Sequence, residues 1–91
     1  MATIAVWIRV EEERVVQSLQ DTGVRLDGVD GEVTLDFSAV QRIDPDALGA
    51  MAELACIADD KGIKLVLRGV NVGIYRVLKL TKLASRFSFG N

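Results

Sequence analysis

The sequence predicts an α/β fold: a small mixed, largely parallel sheet with helices packed on it. Two observations predict it. Segments with strand periodicity alternate with segments of helical periodicity, and glycine-bearing turns separate them. Because parallel neighbours need long crossovers, this alternation favours parallel pairing. The length of 91 residues fits one hydrophobic core, so residues 1–91 are predicted to form a single domain.

The first half of the chain predicts a strand, a helix and a second strand. Residues 3–10 are almost wholly apolar and predict the first strand. Acidic residues then favour a helix start, and a helix follows with Val15, Val16, Leu19 and Leu26 on one stripe. Gly23, Gly28 and Gly31 are expected to weaken or end it, with a turn at Asp30-Gly31. Residues 32–37 alternate and predict a strand burying Val33, Leu35 and Phe37.

The clearest helix start in the chain lies at residue 44. Asp44 suits the N-cap, Pro45 the first helical position, and Asp46 adds a carboxylate to the first turn. Lys61-Gly62 predicts the end of this helix. Its buried stripe is expected to include Leu48, Met51, Ala52, Ala55 and Ala58 or Asp59.

The last third of the chain predicts a strand, a helix and a short final strand. Residues 63–67 are apolar nearly throughout and predict a central strand that Gly69 ends. Asn71 is a candidate cap for a third helix. The last of residues 83–89 predict a short edge strand.

Composition excludes several classes of function. Histidine is absent, which removes Ser-His and Cys-His nucleophiles and every histidine metal site. The net charge of -2, with basic residues spread along the chain, argues against nucleic-acid binding. The single cysteine, Cys56, the lack of a basic leader and the lack of a long apolar run predict a cytoplasmic protein without direct membrane insertion. No cofactor or metal is expected.

Two segments together resemble a known family. Residues 35–40 read Leu-Asp-Phe-Ser-Ala-Val, and residues 43–49 read Ile-Asp-Pro-Asp-Ala-Leu-Gly. They resemble the STAS domain of bacterial anti-sigma factor antagonists and sulphate transporters, where a strand ends in Asp-Leu-Ser-Gly-Val and Asp-Ser-Ser-Gly-Leu-Gly opens a helix. Residues 62–67 look like the family's next strand and residues 77–83 like its terminal amphipathic helix, so the resemblance covers residues 32–89.

The sequence departs from the family pattern in two places. The family's regulatory phosphoserine is the second serine of its motif, and Asp46 stands there, with Pro45 and Ala47 on either side. An aspartate accepts no phosphate from a serine kinase, so Asp46 is either a permanent partial mimic of the phosphorylated form or a favourable helix-start residue. Few residues precede the first helix, which raises the alternative that the N-terminal part of the fold is trimmed.

The resemblance implies a non-catalytic module that binds a protein partner. Within the family that partner is typically a kinase-like anti-sigma factor. The alternative is an accessory subunit that binds the ATPase of a lipid-type ABC transport complex. A homo-oligomer is left open. The expected partner-binding residues are Asp44, Pro45, Asp46, Ala47, Leu48 and Gly49.

Two further features have an ordinary structural interpretation. Cys56 lies among alanines and is expected to be a buried or half-buried, inert thiol. The spacing of Arg76, Lys79, Lys82 and Arg86 predicts one basic helical face, which is either solvated or meets an acidic partner.

Overall fold

The computed structural model describes residues 4–26 and 31–90. Three residues with predictions fall outside the described residues. Thr3 was predicted to lie in the first strand, and Gly28 and Asp30 near the turn after the first helix. The described elements are, in order, β1 (Ile4–Arg9), a 3-10 helix (Glu12–Arg14), α1 (Val15–Arg25), β2 (Gly31–Asp36), α2 (Pro45–Lys61), β3 (Lys64–Arg68), α3 (Val72–Leu80), a second 3-10 helix (Ala84–Arg86) and β4 (Ser88–Gly90). The predicted alternation of strands and helices is confirmed.

The four strands form one sheet in the order β1-β2-β3-β4, and every neighbouring pair is parallel. The sheet of the described strands is therefore wholly parallel, whereas the sequence predicted a mixed, largely parallel one. Each crossover connects a strand to its immediate neighbour, and all three crossovers advance in the same direction across the sheet. Because such crossovers are right-handed, the three helices lie on a single face of the sheet.

The face that meets the helices is the core. Val33, Leu35 and Phe37 are buried, as the alternation of residues 32–37 predicted, and Leu65 and Leu67 of β3 lie beside them. From the helices, the largest fully buried side chains include Leu19, Met51, Leu54, Ile74 and Leu78. Within the described part of the chain, no helix covers the opposite face.

Helix α2 buries a stripe that differs in phase from the predicted one. The buried residues are Ala47, Met51, Leu54, Ala55 and Ala58. Leu48 is only half-buried, and Ala52 and Asp59 are exposed. Cys56 is also exposed, so the prediction of a buried thiol was wrong. Five of the seventeen residues of this helix are alanines, and such small side chains fit on either face, so the composition hardly determines which face turns inward.

Helix α3 is shorter than the spacing of the four basic residues predicted. It ends at Leu80, Lys82 lies in a turn with φ of 64°, and Arg86 belongs to the second 3-10 helix. The prediction that four basic residues share one helical face was therefore wrong, although all four are exposed. The short final strand is confirmed at the edge of the sheet. Among the described helices, none has the length and apolarity needed to cross a membrane.

Candidate functional site

The loops after β1, β2 and β3 meet at the carboxyl edge of the sheet. In most open parallel sheets, ligands bind at this edge. The loop between β2 and α2 is fastened to both of its neighbours. The backbone amide of Gln41 donates to the carboxylate of Glu12, and the side-chain amide of Asn71 donates to the carbonyl oxygen of Gln41 over 2.8 Å. The chain leading into α2 is thereby held from two sides.

Gly69 brings a third contact to the same loop. Its φ is +71°, a left-handed conformation that residues with a Cβ adopt at a cost. A Cβ built at Gly69 would lie 2.8 Å from the backbone Cα of Ser38, closer than real contacts allow. The β2–α2 and β3–α3 loops therefore approach each other so closely that only glycine fits.

Asp44 caps α2, as predicted. Its Oδ1 atom accepts a hydrogen bond from the backbone amide of Ala47 over 2.8 Å, and Pro45 occupies the first helical position. One of the orphan amides at the helix start is thus satisfied, and proline removes another. The carboxylate of Asp44 serves the fold and is tied to its own helix.

The six predicted partner-binding residues differ in what they present to solvent. Asp44, Pro45, Asp46 and Gly49 are exposed, and Leu48 is half-buried. Ala47 is 2% exposed and packs in the core, so its side chain mainly positions the helix and presents very little surface to a partner. Asp46 makes no hydrogen bond or ion pair with another described residue. It is the carboxylate of this turn that is left for an external contact.

A shallow groove of about 480 Å³ runs between the start of α2 and the segment leading into α1. Its lining combines charged side chains with apolar ones: Glu13, Arg14, Arg42 and Asp44 with Val16, Ile43 and Ala47. A groove of this kind can receive a side chain from a docked protein. No group of carboxylates and thiols in the described part of the chain could hold a metal ion.

Asp36 closes the other end of the same loop. The backbone amide of Ser38 donates to its Oδ1 atom over 2.9 Å. This bond holds the pKa of Asp36 below its usual range, with help from the Ser38 hydroxyl and from the positive charges of Arg9 and Arg68. Asp36 is therefore a loop-forming carboxylate that stays ionised, a poor proton donor for catalysis.

Sequence reasoning missed the residues that hold the site in place. Glu12 and Asn71 lie 29 and 30 positions from Gln41, and no local pattern reveals such a pairing. Asn71 was predicted as a cap and Gly69 as a strand breaker. Their second roles appear only once the three loops are side by side. Asn71 donates a hydrogen bond to the β2–α2 loop, and Gly69 allows that loop to approach closely.

Comparison with solved structures gives the same fold in bacterial proteins. The NMR structure of TM1081 from Thermotoga maritima superposes with a TM-score of 0.79 at 20% identity, covering 100% of this chain and 77% of that one. The crystal structure of the same protein, described as a candidate anti-sigma factor antagonist, gives 0.71 at 19% identity, covering 99% and 83%. A sulfate transporter family protein from Wolinella succinogenes gives 0.77 at 17% identity, covering 98% and 80%.

The family comparison agrees with these structures. No curated protein matches the chain. The family model described as Mlab, STAS domain, matches residues 12–87, which include the whole β2–α2 junction. The sequence resemblance and the predicted fold class are confirmed together, and the chain belongs to the STAS domain family.

Proposed function

We propose that this chain is a non-catalytic protein-interaction module that binds its partner through the start of α2, residues 44–49. The observation that carries the proposal is the exposed Asp46 carboxylate, unengaged by other described residues, beside a groove on a loop that its two neighbouring loops contact at three points. A fastened loop loses little conformational freedom when a partner docks, so more of the contact energy is kept as affinity.

Asp46 gives this surface a constant charge. By family resemblance it stands at the phosphoserine position, where phosphorylation would add about -1.5 to -2 charges and three acceptor oxygens. An aspartate carries about one negative charge at neutral pH and cannot gain or lose a phosphate from a serine kinase. We infer that partner binding is not gated by phosphorylation at this position.

The first candidate partner is a kinase-like anti-sigma factor. The shared fold with the Thermotoga maritima protein, described as a candidate anti-sigma factor antagonist, supports this class. In this role the chain would act in transcription regulation in the cytoplasm, by occupying the anti-sigma factor.

The second candidate partner is the ATPase of an ABC transport complex. The shared fold with a sulfate transporter family protein and the constant charge of Asp46 favour it. A permanent subunit needs no switch at its contact surface, whereas a regulator does. The two candidates use the same surface and differ in the protein that covers it.

Photo-crosslinking in the native cell identifies the partner and tests the surface together. A photoreactive residue replaces Gly49, where an added Cβ would meet no atom within 4 Å, and in a control it replaces the exposed Asp60 at the other end of α2. We expect a specific crosslink from position 49 only. An anti-sigma factor or a transporter ATPase in that crosslink decides between the candidates, and crosslinks from position 60 alone would refute the assigned surface.

The absence of a phosphate switch has its own test. The wild-type chain and the Asp46→Ser variant are each incubated with the cognate kinase and ATP, and intact masses are measured. We expect no phosphate on the wild type and one on the variant. Stoichiometric phosphate on wild-type Ser38, or on any other hydroxyl, would overturn the inference.

A further inference from the structure

The face of the sheet opposite the helices carries an ordered pattern of side chains. Parallel registers align them in rows that cross the sheet. The first row pairs Glu32 with Lys64; the second holds Trp7, Thr34, Val66 and Ser88; and the third holds Arg9, Asp36, Arg68 and Gly90. All-parallel sheets in proteins usually have both faces covered, so an open face of this kind calls for a covering partner.

The open face has an apolar centre. Trp7 is 57% exposed, and the Arg68 guanidinium lies 5.1 Å from the centroid of its ring. Thr34 lies between these two residues and is only 7% exposed, although no described helix covers it. The largest side chain of the protein thus lies across the middle of the face and presents a broad apolar surface to solvent.

The two central strands carry charges of opposite sign on this face. On β2 the face presents Glu32 and Asp36, and at the aligned positions of β3 it presents Lys64 and Arg68. A twofold axis parallel to the strands and midway between β2 and β3 would place each acidic residue opposite the basic residue of a second copy. The same operation brings both kinds of charged pair together across the interface.

Side-chain size follows the same symmetry. That axis places β1 opposite β4 of the second copy, so the bulky Trp7 and Arg9 face Ser88 and Gly90, two small residues of the edge strand β4. Two sheets related in this way would pack with their strands roughly aligned, about 30° apart.

From these complementarities we propose that a second copy of this chain covers the open face in an isologous, face-to-face dimer. Such an interface is self-complementary by construction. The face measures about 19 by 17 Å from strand spacing and rise. It is small compared with about 800 Å² per partner in stable complexes, so the dimer should be weak and concentration-dependent. The start of α2 lies at the sheet edge and stays accessible in it.

Charge-swap variants test the geometry by sedimentation velocity from about 10 to 500 µM, a range chosen for a weak interface. Lys64→Glu makes the paired positions wholly acidic, and Glu32→Lys makes them wholly basic. We expect dimer formation by the wild type, its loss in each variant alone, and its recovery when the two variants are mixed in equal amounts. The double variant Glu32→Lys/Lys64→Glu should also dimerise.

Matched controls separate a local contact from a general effect of charge. Lys79→Glu and Glu53→Lys make the same charge changes at exposed helix positions and should leave dimerisation unchanged. Circular dichroism confirms that each variant is folded. Trp7, the single tryptophan, supplies a second readout, since its quenching by acrylamide should fall as the wild type associates.

Three results would overturn the proposal. The first is a wild type that remains monomeric throughout the concentration range. The second is single charge variants that dimerise as well as the wild type. The third is a mixture of the two folded variants that stays monomeric although the wild type associates.

Discussion

Helices α2 and α3 start in the same way at the same edge of the sheet. Asp44 and Asn71 each cap their helix through Oδ1, which accepts from the backbone amide three residues later over 2.8 Å in both cases. The first turns then differ. Helix α2 continues with Pro45 and Asp46, whereas α3 continues with Val72 and Gly73 and carries no acidic residue there.

The comparison separates structural roles from recognition. A capping side chain satisfies backbone amides in both helices, so the cap alone marks no binding site. Asn71 has a second structural task, because its amide also fastens the β2–α2 loop at Gln41. What α2 has in addition is the unengaged carboxylate of Asp46 beside a groove. We therefore propose Asp46 as the recognition residue and assign stability to the caps and the loop contacts.

The largest expected effect on stability is at Gly69. Gly69→Ala should lower the free energy of unfolding by about 2 to 4 kcal/mol, because a left-handed φ and a collision with Ser38 act together. Gly62→Ala is the matched control, since Gly62 has a φ of +68° but no neighbour within 4 Å of an added Cβ. Its cost should be about 1 to 2 kcal/mol. Equal losses in urea unfolding would contradict the close approach of the two loops.

The next largest effects on stability are expected at the two capping residues, and they should differ in size. Asp44→Ala removes one cap and should cost about 1 kcal/mol. Asn71→Ala removes a cap and the bond to Gln41, and should cost about 1.5 to 3 kcal/mol. Chemical denaturation measures both. If Asn71→Ala costs no more than Asp44→Ala, the bond between the two loops contributes nothing to stability.

Asp46→Ala should have a smaller effect on folding. The carboxylate lies near the positive end of the α2 dipole, so its loss should cost about 0.3 to 1 kcal/mol, less at high salt. Thermal unfolding at low and high ionic strength measures this. A loss above about 2 kcal/mol would show that Asp46 is a structural residue, because a dipole contribution at an exposed site does not reach that size.

The smallest effect concerns Asp36 at acidic pH. Because the folded-state pKa of Asp36 is lowered, its ionised form stabilises the fold above the unfolded value of about 3.9, and that contribution is lost as pH falls through the folded value. Asp36→Asn keeps an acceptor for Ser38 but removes the charge. The stability advantage of the wild type should be constant above about pH 5 and shrink below about pH 4. An advantage that grows on acidification would contradict the lowered pKa.

Local chemistry made much of the fold predictable from the sequence. Asp44, Pro45 and Gly62 identify both ends of α2 because capping depends on neighbours within one turn. Val33, Leu35 and Phe37 identify the buried face of β2 because strand periodicity is strict. The phase of α2 was missed, since Ala47 and not Leu48 faces the core, and alanine distinguishes the two faces poorly.

The remaining features depend on contacts distant in sequence. Helix α3 stops before Lys82 without a glycine or proline signal, because the turn places a lysine in a left-handed conformation. The fastening of Gln41 by Glu12 and Asn71 depends on the parallel strand order, which brings three separate loops to one edge. The charge pattern of the open face likewise needs the strand register, which the sequence does not specify.

Partner affinity of two charge-reversed variants tests the central claim most directly. Asp46→Lys reverses the charge at the start of α2, and Asp60→Lys makes the same change at its other exposed end, roughly 21 Å away at 1.5 Å per residue. With the partner found by crosslinking, calorimetry should give a Kd at least about tenfold weaker for Asp46→Lys, the loss expected of a central interface charge. Asp60→Lys should bind as the wild type does. Unchanged binding by Asp46→Lys, with both variants folded, would contradict the account.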